Sequence, residues 1–180
     1  MSRRARKIVK RVSTDPKFNS ELIAHLIRVL MRDGKKTTAE RIVYGAIDKI
    51  SEDIAKNPGK YAKDAEKKDD SSAVTDPLEV VSMAIENMKP KVEVKTRRVG
   101  GTTYPVPTEI KEVRQLSLAL RWMKTYAGGR RGMGMAAAVA AEIIDAFQGQ
   151  GNVIKKRDDV HKMAQANKAF AHYAWGNNAG

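Results

Sequence analysis

A mainly α fold is predicted: a single-domain bundle of about six helices with a protruding two-stranded β-ribbon arm. Three observations lead there. Apolar residues recur with a 3.6-residue period in stretch after stretch of the chain. Only residues 89–107, KPKVEVKTRRVGGTTYPVP, alternate with the period of a strand. The chain has 180 residues and no cysteine, and a domain of ~150 residues already buries about 68–70% of its unfolded surface without covalent staples. Residues 1–17 read as a basic N-terminal arm, 18–175 as the helical domain and 176–180 as a disordered tail.

The first helix follows a turn at Asp15-Pro16 and starts at Ser20, with Leu22, Ile23, Leu26, Ile27, Leu30 and Met31 on one stripe. Gly34 is expected to stop it as a left-handed cap. The second helix is expected to open with a capping box, Thr37-x-x-Glu40, and to carry Ala39, Ile42, Val43, Ala46, Ile47 and Ile50 inward. Residues 52–75 mix five lysines with six acids, too few apolar groups to offset the entropy of ordering. They are expected to form an exposed insertion with at most a transient helix. Asp76-Pro77-Leu78-Glu79 restarts a helix, with Asp76 as cap, Pro77 in the first turn and Glu79 completing the box. Its buried stripe is Val80, Val81, Ala84, Ile85 and Met88, and Pro90 ends it.

The ribbon spans 91–107. Val92, Val94 and Thr96 share one face and Lys91, Glu93, Lys95 and Arg97 the other, with a turn at Val99-Gly100-Gly101-Thr102. Glycine accepts the positive φ of such turns, whereas Pro105 and Pro107 limit pairing of the returning strand. The helix expected from about 112 to 127 points Val113, Leu116, Ala119, Leu120, Met123 and Tyr126 inward, with Arg114, Arg121 and Lys124 off the stripe. A flexible basic loop, Gly128–Gly134, contains Arg130 and Arg131. Residues 135–147 form an alanine-rich helix using Val139, Ile143, Ile144 and Phe147 for its core contacts. The last helix is expected to start near 156–159 and to bury Val160, Met163, Ala164 and Phe170, with Lys155, Lys156 and Arg157 in its first turn. Asp158 and Asp159 there would complement the helix dipole.

Charge is the dominant global feature: 34 Lys and Arg against 21 Asp and Glu give +13. Such an excess favours a polyanionic partner. The arm contributes Arg3, Arg4, Arg6, Lys7, Lys10, Arg11 and Lys17 against Asp15 alone. The ribbon adds Lys91, Lys95, Arg97 and Arg98 beside Gly100 and Gly101, where donors and a close backbone approach suit phosphate. Clustered bases of this kind indicate nucleic acid. Tyr104, Tyr173 and Trp175 can stack on unpaired bases, while core packing is expected for Trp122 and Phe170.

Catalytic chemistry is not indicated. His161 and His172 are 11 residues apart on one expected helix, about 16 Å along its axis, too far to share an ion. His25 stands apart, Gly132-x-Gly134 lacks the context of a dinucleotide loop, and no nucleophile–base pair stands out. Neither a cofactor, a metal nor an enzymatic activity is expected. No apolar run approaches the ~18–20 residues of a membrane span, so a membrane partner is not expected. The lack of an apolar leader and of cysteine points to the cytoplasm.

Four stretches carry a resemblance: MRDGKKTTAERIVYGAID, PLEVVSMAIENMKPKVEVKTRRVGGTTYPVP, LRWM and VIKKRDDVHKMAQANKAFAHYAW. In that order, and over most of residues 12–175, they resemble the bacterial small-subunit ribosomal protein seven family. The resemblance implies a helical domain with a β-ribbon that binds the 3′ major domain of small-subunit ribosomal RNA and helps begin assembly of the subunit head. It also implies a place near the exit site, close to transfer RNA and messenger RNA and beside other head and platform proteins of the subunit. Some members repress their own operon. By position, Lys35 and Lys36 match the family's basic turn after the first helix. Lys95, Arg97 and Arg98 match the ribbon's basic strand, and Gly100 and Gly101 its tip. Lys155, Lys156 and Arg157 match the basic start of the last helix.

The full set expected to face RNA adds Arg3, Arg4, Arg6, Lys7, Lys10 and Arg11 of the arm, and Lys91, Arg114, Arg121, Arg130, Arg131, Tyr173 and Trp175. Departures from the family pattern are the long 52–75 segment, Pro105, the loose 128–134 loop and Ala174 in place of a frequent arginine. A rival reading from another class is a DNA-architectural protein gripping duplex DNA with its basic ribbon. A basic helix lying on an anionic membrane is disfavoured, because each apolar stripe is already needed by the core.

Overall fold

The computed structural model describes residues 14–61 and 76–173. The arm up to residue 13, residues 62–75 of the expected insertion, Ala174, Trp175 and the expected disordered tail at 176–180 lie outside the described residues.

Asp15 fixes the start of the described chain. Its carboxylate accepts the Lys17 and Phe18 N–H groups, each at 3.0 Å, and the Tyr44 hydroxyl at 2.7 Å. The group is 2% exposed, and an acid buried that deeply needs its partners. The bond to Asp15 pushes the Tyr44 phenol up to about 12. Ser20 then caps α1 (Glu21–Leu30) by accepting from the Ile23 N–H.

The connection to α2 differs from expectation in two ways. Helix α1 stops at Leu30 with Met31 as its cap, so Gly34 (φ 71°) does not end the helix but sits beside Asp33 (φ 51°) in a left-handed turn. Helix α2 (Lys36–Lys56) begins two residues early, with Lys35 rather than Thr37 at the cap position and no side-chain cap. Thr37 is therefore inside the helix, and Glu40 pairs with Lys36 at 3.2 Å instead of closing a capping box.

Helix α2 also runs to Lys56, and a short 3-10 turn follows at Pro58–Tyr61. The expectation of an unpatterned insertion from residue 52 is corrected here. Ile54 is buried, and Tyr61 is fully enclosed, its hydroxyl donating to Asp53 at 2.5 Å and its ring 5.3 Å from Phe147.

Helix α3 (Pro77–Met88) starts as expected, with Asp76 accepting from the Leu78 N–H and Pro77 in the first turn. The ribbon pairs β1 (Val92–Val99) antiparallel with β2 (Thr102–Glu109), two residues longer than expected. Val99 faces Thr102 across Gly100 (φ 56°) and Gly101 (φ 89°), a two-residue turn that needs positive φ at both central positions. Counting back from that closing pair, Pro105 and Pro107 stand opposite Thr96 and Val94. These are the alternate positions that exchange no ladder hydrogen bonds, so the prolines forfeit none.

Helix α4 (Glu112–Gly129) continues through both glycines expected to break it. An exposed helical glycine costs only about 1 kcal/mol relative to alanine, which neighbouring turns can carry. Val113, expected inside, is 81% exposed. Helix α5 (Met135–Phe147) matches its expected limits and packs centrally against α2, α3 and α4. A Cβ at Gly45 would lie 3.6 Å from that of Ala136, so small side chains let α2 and α5 come close.

Helix α6 (Asn152–Ala166) starts earlier than expected. This moves Asp158 and Asp159 out of the first turn, away from the dipole role expected of them. Met163 is 48% exposed rather than buried. A 3-10 segment, Lys168–Tyr173, closes the described chain. Phe170 is half-buried there, against Tyr104 at 5.3 Å, and not in the helical core.

Candidate nucleic-acid interface

Register fixes which ribbon residues share a face. Glu93, Lys95 and Arg97 stand opposite Thr108, Val106 and Tyr104. Val106 is fully buried and Tyr104 lies against the C-terminal 3-10 segment, so this charged face of β1 is turned toward the body at its base. Glu93 is the organiser. Arg114 grips it with two nitrogens at 2.9–3.1 Å, and Lys95 lies 2.9 Å away. Burial opposes ionisation of Glu93, but the bonds from Arg114 and Lys95 prevail and hold its carboxyl below the ordinary range. Arg97 donates to the Tyr173 carbonyl, and the Tyr173 ring stacks on Tyr104 at 5.4 Å. Arg98 is exposed beside the two tip glycines, and Lys91 is exposed at the ribbon's foot.

The remaining expected contacts divide by surroundings. Lys35, Lys36, Arg121, Arg131 and Lys155 are exposed, and Lys156 is half-exposed. Arg157 is held by the Asn87 carbonyl and by Asp158 at 2.7–2.8 Å. Arg130 is a clamp between helices: it binds Glu142 at 2.7 Å and also Asp145, although Glu142 is only 1% exposed. Arg3, Arg4, Arg6, Lys7, Lys10, Arg11 and Trp175 lie outside the described residues. Among the described residues no group of three or more His, Cys, Asp or Glu is placed to hold a metal ion.

Sequence reasoning missed three features. Glu142 falls on the same α5 face as Val139, Ile143 and Ala146, and an acid on an otherwise apolar face was the available signal for a buried partner. The Tyr104–Phe170–Tyr173 cluster joins residues far apart in sequence and left no local signal. Arg32 and Lys124 join Lys35 and Arg130 around one cleft between the α1–α2 turn and the α4–α5 junction.

His161 ties α6 to the ribbon's foot, its Nε2 accepting the Lys91 backbone N–H at 3.1 Å. Burial first, then Arg157, lowers its pKa below the ordinary value, with Asp158 partly opposing. The folded chain therefore prefers the neutral ring. Its contribution is whole above the unfolded pKa of about 6.5 and is lost as pH falls through the lower folded value. Urea midpoints should thus fall less steeply on acidification in His161→Gln, whose amide oxygen still accepts but does not titrate. His25, lowered by burial and Arg28, leaves a residual slope. Identical slopes in the two proteins would remove His161 from this role.

A helical scaffold with a basic ribbon fixed by aromatic and ionic contacts defines a class of cationic binding proteins. The chain belongs to the family described as Ribosomal protein S7p/S5e, which it matches over residues 2–168. It is similar to the small ribosomal subunit protein uS7 of Akkermansia muciniphila, 50% identical over 175 residues, covering 97% of this chain and all of the relative. The protein of the same name in Desulfosudis oleivorans is 49% identical over 175 residues, with the same coverage. That of Anaeromyxobacter sp. (strain K) is 47% identical over 173 residues, 96% of this chain and 99% of the relative.

Proposed function

We propose that the chain is a cytoplasmic structural component of the small ribosomal subunit that binds the 3′ major domain of its RNA. In this reading it helps to start assembly of the subunit head and lies near the exit site, with its ribbon close to transfer RNA and messenger RNA. Other head and platform proteins are its neighbours. The observation that carries the reading is a cationic ribbon braced on a helical core, in a chain alike from end to end to small-subunit proteins. Phosphate contacts by lysine and arginine supply most of the affinity, while RNA shape and unpaired bases supply selectivity, because A-form helices hide their major-groove edges.

Gripping duplex DNA is less well supported. Architectural proteins pry base steps apart with large apolar wedges, whereas this tip presents Gly100, Gly101 and two exposed threonines. Among the described residues no helix is long and apolar enough to cross a membrane. Chemical footprinting of the full chain on small-subunit ribosomal RNA should give protections concentrated in the 3′ major domain. Protections scattered over the whole molecule would reject the reading.

A further inference from the structure

The C-terminal 3-10 segment, Lys168–Tyr173, contains no buried residue. Its two half-buried side chains, Phe170 and Tyr173, are the two that meet Tyr104 of the ribbon, with ring centroids 5.3 and 5.4 Å away. The Tyr173 ring lies within 24° of parallel to that of Tyr104. The Tyr173 carbonyl accepts from Arg97, which stands opposite Tyr104 in the ladder. One short segment is therefore laid across one cross-strand pair, Arg97 and Tyr104. Lys91 and Arg98 are exposed to either side of it.

The segment is held lightly. Its 3-10 geometry runs for six residues, whereas runs beyond about 3–4 are uncommon because the bonding is poor. Within it, the Phe170 N–H donates to the Asn167 carbonyl at 2.9 Å, a bond that spans a single turn. None of its residues belongs to the buried core. A stretch with so few buried apolar contacts opens locally at a small part of the free energy of global unfolding. The ribbon's base is anchored differently, by buried Val106, by Arg114 on Glu93 and by His161 on the Lys91 N–H. Opening thus moves the segment and leaves the ribbon in place.

We propose that the segment is a strap: it closes over Arg97 and Tyr104 in the free protein and is displaced when RNA binds. This rests on the reading of the chain as an RNA-binding protein and adds a conformational step to it. A ligand shifts such an equilibrium only through contacts that differ between the two states, and two contacts differ here. A phosphate is a stronger partner for the Arg97 guanidinium than a neutral carbonyl. An unpaired base on the Tyr104 ring outweighs an aromatic pair within the protein. Until RNA supplies both, the strap keeps the pair covered, and the affinity of the free chain is reduced by the fraction of time it is closed.

Tyr173→Ala in the full chain provides the test, since it removes the stacked ring and touches no core residue. The strap predicts that affinity for a small-subunit 3′ major-domain fragment rises by about two- to tenfold, the scale of one aromatic pair, with helicity unchanged. Tyr173→Phe keeps the ring and should bind as the wild type does. A second measurement needs no RNA. In native-state hydrogen exchange of the free wild type, the Phe170 amide should exchange at least about a hundredfold faster than the Ile143 amide in α5, through local opening.

If the wild type binds the fragment and Tyr173→Ala binds it equally or less well, the strap is overturned and the RNA reading stands. Exchange of Phe170 as slow as that of Ile143 also overturns the strap, whatever the RNA result. If the wild type itself fails to bind, both fall.

Discussion

Arg130→Ala is expected to lower folding stability by about 3–5 kcal/mol, the cost of removing one partner from a buried ion pair. The reason lies in Glu142 more than in the arginine. That carboxylate is 1% exposed, its Oε1 is held by Arg130 at 2.7 Å, and its Oε2 has no hydrogen-bond partner among the described residues. Truncating Arg130 strands a nearly dry charge with nothing to replace the guanidinium. A loss of that size is a large part of the ~5–15 kcal/mol that holds a typical domain together. Adding Glu142→Leu should recover most of it, since an apolar pair of similar volume often replaces a buried ion pair at little cost. Urea denaturation of the single and double variants measures both effects. A single-variant loss under about 1 kcal/mol would mean that the pair behaves like an exposed one.

Arg97→Ala combined with Arg98→Ala is expected to weaken RNA binding by at least about tenfold while leaving helicity intact. Hydrogen bonds to charged groups contribute roughly 1.5–3 kcal/mol each, and two are removed. The plot of log affinity against log salt should also become shallower by about 2, one unit for each phosphate no longer engaged. The two arginines act differently. Arg98 is exposed beside the tip, whereas Arg97 also bonds the Tyr173 carbonyl and so helps to bind the C-terminal segment to the ribbon. Tyr173→Ala separates these roles: it removes the stack on Tyr104 but keeps both cations, and should leave the salt slope unchanged. An unaltered affinity in the double variant at matched salt would remove the ribbon from the interface.

Local chemistry made much of the fold legible. The Asp76-Pro77 start, the two-glycine turn and the limits of α5 each depend on neighbouring residues alone, and each stands where the sequence placed it. Departures arise where partners are distant. Ile54 and Tyr61 are isolated apolar residues among charges and form no stripe, yet both join the buried core, Tyr61 against Phe147 of α5. Val113 and Met163 keep helical phase but lie beyond the neighbours that would cover them, so they face solvent. The basic ribbon was legible as an interface candidate because charge and glycine occur together in sequence. Arg130 and Arg157 read as free cations until the fold brought Glu142, Asp145 and the Asn87 carbonyl to them.

The central claim is that the helices hold cationic groups in a fixed array for a folded RNA. It is tested most directly by titrating the full chain against a small-subunit 3′ major-domain fragment over graded salt, with duplex DNA of equal length as competitor. With about 6–10 phosphate contacts, affinity should fall roughly 10³–10⁵-fold between about 50 and 200 mM salt, and the DNA should compete poorly throughout. Binding that ignores salt, or that DNA displaces as readily as RNA does, would contradict the account.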